Sequence, residues 1–141
     1  MTPVPFSKLA SSVTGSPFVT ALDIGDLLAG GNVQMLGTSG TITTIAGLHL
    51  GLPRYDRAQV DGFRLTSAEI RHQVARLLAM DFEQRAAEPC IGVGRGDVVI
   101  AGCAILDAII NACPVNSVDV ADRGLREGML LGMLRADDLA L

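Results

Sequence analysis

Between Asp97 and Pro114 the chain runs Val98-Val99-Ile100-Ala101-Gly102-Cys103-Ala104-Ile105-Leu106 and continues through Ile109 and Ile110 to Cys113 with almost no polar interruption. A bilayer crossing needs about 20 such residues, so this run, broken by Gly102 and Asp107, predicts a buried segment of a water-exposed fold. β-branched Val98, Val99 and Ile100 permit a strand at its start, but its length without a turn favours a helix. A helix that is apolar on every side belongs in an interior, so the other elements are expected to wrap around it. With 141 residues, 49% of them hydrophobic, the chain suits one compact domain. That length buries about 70% of the unfolded surface, enough for a core without metal or disulfide staples.

Charge and composition remove several classes of function. Lys plus Arg is 11 and Asp plus Glu is 15, a net charge of −4 without a basic cluster, which argues against nucleic acid as a partner. Aromatics are 4%, too few for base-stacking platforms. Cys90, Cys103 and Cys113 are odd in number and form no C-x-x-C pair, so they read as reduced, buried thiols. His49 and His72 lack ligand-spaced neighbours, and no metal site is predicted from them. Residues 1–13 carry no apolar secretory core, so the expectation is a cytoplasmic protein with no membrane partner.

Residues 1–16, rich in Ser, Thr, Pro and Gly, predict a loose arm ahead of a single α/β domain over residues 17–141. Phe18, Leu22, Leu27 and Leu28 suggest a short helix stopped by Gly30-Gly31. Val33, Met35 and Leu36 read as a buried strand leading into Gly37-Thr38-Ser39-Gly40-Thr41. Ile42, Ile45, Ala46 and His49 then recur at helical spacing until Gly51 and Pro53. Thr66 and Glu69 form a capping box for a helix with an inward stripe of Ile70, Val74, Leu77 and Leu78, leaving Arg71, Gln73 and Arg76 for solvent. Asp81 and Gln84 repeat the cap, and the short helix they start ends before Pro89. Val115, Val118 and Val120 form a second strand. Asp122 is expected to cap a last helix that buries Leu125, Met129, Leu130 and Met133 and carries Arg135 near its end.

The loop over residues 37–41 is the most informative local feature. Two glycines let backbone N–H groups approach an anion, three hydroxyls add donors, and the next helix brings its positive end to the same point. The same residues also serve as a tight turn whose Thr and Ser cap a helix. No Lys follows, so this is not a Walker loop. In Arg123-Gly124-Leu125-Arg126-Glu127-Gly128, arginine suits phosphate through its planar fork, and an Arg/Glu pair orienting a helix end is the alternative. Arg95 and Asp97 read as structural, with Asp97 the cap of the apolar helix. Arg54, Tyr55, Asp56 and Arg57 read as a solvated loop.

Three segments in order resemble the exopolyphosphatase and guanosine pentaphosphate phosphohydrolase family. They are residues 37–41 with Thr43-Thr44-Ile45-Ala46, then Arg95-Gly96-Asp97-Val98-Val99-Ile100-Ala101-Gly102 with Ala104-Ile105-Leu106, and finally Asp122-Arg123-Gly124-Leu125-Arg126-Glu127-Gly128. The resemblance covers residues 33–134 and is to the C-terminal half of the family's catalytic domain. It implies an α/β fold of the ribonuclease-H-like type found in the actin-like ATPase superfamily, here a half-domain with a short sheet and several packed helices. The intact family hydrolyses a terminal phosphoanhydride of polyphosphate or guanosine pentaphosphate with magnesium. Carried onto this chain, Gly37, Thr38, Ser39, Gly40, Thr41 and Arg126 would hold phosphate or nucleotide oxygens. Arg95, Asp97, Arg123 and Glu127 would shape and orient the site.

The family's first phosphate loop and its water-activating glutamate have no counterpart here, and no magnesium ligands are identified. Asp23-Ile24-Gly25 has Asp26 where a second loop of the family has glycine, so it is read as coincidence. The chain is therefore expected to be an incomplete, truncated or split member with no catalytic residue of its own. A homodimer or a partner chain supplying the other half follows from that expectation. The alternative is a non-catalytic module that binds phosphate or nucleotide in a regulatory or oligomerising role.

Overall fold

The computed structural model describes residues 33–38 and 40–138. The expected arm over residues 1–16, the short helix of Phe18 and Leu22, and Ser39 lie outside the described residues. The first strand, β1 (Met35–Gly37), leads to helix α1 (Gly40–His49). One helical turn, α2 (Arg57–Val60), precedes strand β2 (Arg64–Thr66) and helix α3 (Ser67–Ala79). Then come α4 (Phe82–Ala87), a 3-10 turn at Val93–Arg95, α5 (Val98–Ala112), β3 (Ser117–Val120) and α6 (Leu125–Asp138). β3 is the central strand, parallel to β1 with Met35 opposite Val118 and antiparallel to β2 with Leu65 opposite Val118.

Helix α1 lies at the centre of the fold, in contact with β3, α2, α3 and α5. Every residue from Ile42 to Leu48 is buried, including Thr43 and Thr44. Its end follows from Gly51, whose φ of +64° is a left-handed conformation that glycine adopts without steric cost. Gly37 permits its start: a Cβ there would stand 2.9 Å from Cγ1 of Ile42 and 3.2 Å from Cγ1 of Val118. Ile45, Leu65, Ile70, Leu77, Cys103, Val118 and Val120 join Ile42 in one core between helices and sheet.

Both capping boxes form. The Thr66 hydroxyl accepts from Glu69 N–H while Glu69 accepts from Thr66 N–H, and Asp81 and Gln84 do the same for α4. Ile70, Val74 and Leu77 are buried as expected, whereas Leu78 is exposed. Gln73 is buried rather than solvated, its amide oxygen accepting from Arg76 at 3.3 Å. Cys90 and Cys103 are buried free thiols and Cys113 is half-buried. Burial pushes the Cys103 thiol up to about 11, so it stays protonated.

The first strand is not buried as expected, since Val33 and Leu36 are exposed, and Asp122 accepts from Tyr55 three positions before α6 begins instead of capping it. Further expectations fail for tertiary reasons. The apolar run does form a helix, but α5 buries Val99, Cys103, Ala104, Ala108 and Ile110 on one side and leaves Val98 and Ile105 outside; α1, not α5, is enclosed on every side. Asp97 makes no capping hydrogen bond and instead lies 3.8 Å from Arg85. The expected inward stripe of α6 is solvent-facing: Leu125, Met129, Leu130 and Met133 are 59–81% exposed, and Leu131 and Leu134 are exposed with them. Among the described residues, no other element packs substantially against α6. β2 and α2 escape sequence reading because a three-residue strand and a single turn are shorter than the periods that reveal them.

Candidate anion site

Strand β1 and the N-terminus of α1 meet at the glycine turn, with a recess on each side. The first recess, about 310 Å³, has Gly40, Thr41, Thr44 and Arg95 as its polar lining and Ile91, Val98 and Val99 as its apolar wall. The free N–H groups of a helix start and the positive end of the helix dipole make such a mouth favourable for anions. Arg95 reaches it from the 3-10 turn, with Nη1 3.9 Å from the point where a Cβ of residue 40 would stand. Its guanidinium makes no hydrogen bond or ion pair among the described residues, in contrast to Arg57, Arg64, Arg76, Arg85 and Arg123. Thr44, only 5% exposed, lines the same recess, and its hydroxyl has no hydrogen-bond partner among the described residues.

The second recess, about 290 Å³, brings Thr38 together with Asp122, Arg123, Gly124, Arg126 and Glu127. Its placement follows from the sheet: Ala121 N–H donates to the Gly37 carbonyl at 2.8 Å, so the end of β3 runs beside the glycine turn. Residues 122–127 are then fastened from across the sheet. Tyr55 donates to Asp122 Oδ2 at 2.9 Å, and the Arg57 guanidinium donates to the Asp122 carbonyl. Asp61 accepts from Asp122 N–H at 3.0 Å and from Arg123 Nε at 2.9 Å. Glu127 accepts from Gly124 N–H at 2.8 Å and lies 3.7 Å from Arg57. These bonds hold Asp61 and Glu127 below the usual carboxylate range, in each case chiefly through the backbone N–H they accept. Burial, followed by the bond to Asp122, raises the Tyr55 hydroxyl.

The residues read as a solvated loop, Tyr55 to Arg57, are thus the anchor of the second recess. Sequence gave no signal for this, since the partners are more than 60 positions apart. Arg126 lines the recess and is exposed, with Glu127 as its charged neighbour and no hydrogen bond among the described residues. Of the candidate residues, Gly40, Thr41 and Arg95 share one recess and Thr38, Arg123, Arg126 and Glu127 the other. Asp97 lines neither, and Ser39 lies outside the described residues. The arrangement offers donors and positive charge to an anion.

Among the described residues no three His, Cys, Asp or Glu side chains converge. Asp122 and Glu127, the nearest carboxylates, are already occupied by Tyr55, Gly124 and Arg57. Among the described residues, no helix is long and apolar enough to cross a membrane.

The model of the Ppx/GppA phosphatase family matches residues 10–137. The chain belongs to that family. Exopolyphosphatase 2 of Mycobacterium tuberculosis is 26% identical over 102 residues, 70% of this chain and 32% of the relative. The Aquifex aeolicus Ppx/GppA family member superposes with a TM-score of 0.70 at 23% identity, over 96% of this chain and 48% of that one. An exopolyphosphatase from Cytophaga hutchinsonii gives 0.76 at 19% identity, over 93% of this chain and 42% of its own. These structures share the fold with this Ppx/GppA chain, which spans about a third of the curated relatives' length and under half of the solved ones.

Proposed function

We propose that this Ppx/GppA chain binds the phosphoanhydride oxygens of polyphosphate or guanosine pentaphosphate at the glycine turn without hydrolysing them by itself. One observation carries the reading: Arg95 and Arg126, neither hydrogen-bonded among the described residues, each line a recess beside the start of α1. Backbone N–H groups of the first turn, the Thr38 and Thr41 hydroxyls and these guanidinium groups are the donors such a ligand needs. Ser39 belongs to the same turn in sequence.

Absence of hydrolysis follows from what the donors lack. A positioned general base is worth about 10²–10⁴-fold, and the two carboxylates at the second recess, Asp122 and Glu127, are engaged by Tyr55, Gly124 and Arg57. A partner is proposed to supply it, either a second copy or a chain corresponding to the rest of the relatives' length. The exposed apolar residues of α6 support that reading, because a helix apolar on several sides is stable when covered. Titration calorimetry with tripolyphosphate and with guanosine pentaphosphate should give saturable binding, while phosphate release in magnesium buffer stays at background. Turnover by the chain alone would refute the incompleteness, and absence of heat with both ligands would refute the anion site. Binding without hydrolysis alongside every candidate partner would favour a regulatory module.

A further inference from the structure

Gly102 sits inside α5, where glycine is destabilising relative to alanine. Its φ is not positive, so backbone conformation does not demand glycine. Space does. A Cβ at residue 102 would overlap Oγ1 of Thr41 and stand 3.1 Å from its Cγ2 and 3.2 Å from its Cβ. The two residues mark the point where α5 meets the first turn of α1. Four and three residues earlier α5 supplies Val98 and Val99, the apolar wall of the first recess, and Arg95 stands three residues before Val98.

We infer that Gly102 is a positioning residue: by letting α5 close on Thr41, it sets the width of the recess between Arg95 and the start of α1. The inference rests on the anion-binding reading above. That the recess takes a polar ligand has support besides the helix start: Thr44, a residue only 5% exposed, lines it with a hydroxyl that has no hydrogen-bond partner among the described residues. A methyl group at residue 102 pushes α5 outward and carries Arg95 away from the anion. Removing the Thr41 side chain restores the room, so the two substitutions are coupled.

Tripolyphosphate calorimetry on four full-length proteins tests this: the unaltered chain, Gly102→Ala, Thr41→Ala and the double variant. Gly102→Ala should weaken binding about tenfold, the scale of a sub-ångström to ångström misplacement. In the Thr41→Ala background the same change should cost less than about twofold, a non-additivity that a merely structural role does not produce in affinity. Additive losses, or unaltered affinity in Gly102→Ala, would overturn the inference while leaving the anion site standing. No binding by the unaltered chain would remove the anion site and this role together. Should Gly102→Ala fail to fold, a folded double variant that binds like Thr41→Ala supports the inference, and one that does not bind overturns it.

Discussion

On one side of the glycine turn Arg95 stands at the end of a 3-10 turn, exposed and without a hydrogen bond among the described residues, over a recess whose walls are two long helices. On the other, the segment bearing Arg126 is tied down by Tyr55, Arg57 and Asp61, with Arg123 and Glu127 spent on the tying. The conspicuous motif of residues 123–128 is thus largely scaffold, and its single unbonded cation sits on an open rim. The side that looked structural in sequence keeps its charge available. A guanidinium already hydrogen-bonded to a carboxylate must break that bond to serve a ligand, whereas Arg95 has none to break among the described residues.

Two substitutions can break this contrast. Arg95→Ala should weaken tripolyphosphate binding by about 10- to 100-fold, the span expected for one or two charge-assisted hydrogen bonds. Arg126→Ala, on a rim where solvent and salt screen the charge, should cost about two- to fivefold and lose its effect as salt is raised. Calorimetry at low and high salt measures both. Equal losses would erase the difference between the sides, and a larger loss from Arg126→Ala would invert it.

How much of this could be read beforehand depends on distance along the chain. The strand Met35–Gly37, the helix Gly40–His49, both capping boxes and the stop at Gly51 are local, and each forms where nearby residue types favour it. Which helix is enclosed is not local: α1, with Thr43 and Thr44 in its middle, outranks the more apolar α5 because the sheet and three helices surround it. Inward stripes were inferred on the premise that the chain covers its own apolar faces. Ile70, Val74 and Leu77 obey it, and α6 does not. The candidate site divides the same way. Its residues were named from motifs, but which arginine is bonded was decided by Asp61, Tyr55 and Arg57, far away in sequence.

Acid should separate the two sides with a smaller effect. Asp61 and Glu127 have folded-state values below their ordinary 3.8 and 4.5, so their contacts contribute stability that is fully present above that range. As pH falls through it, the unfolded or detached form takes up protons first, and the contribution is lost on reaching the lower folded values. The N–H groups of Asp122 and Gly124, which donate to these carboxylates, should therefore lose protection from hydrogen exchange as pH drops below about 4. Amides in the middle of α1, beside the Arg95 recess, depend on no titrating acceptor and should keep theirs through the same interval. The ratio of the two protection factors is the measurement, since dividing one by the other removes the intrinsic pH dependence of exchange. A ratio that stays constant down to pH 3 would mean that the carboxylate ties do not hold residues 122–127, and the contrast between an anchored and a free side would fail.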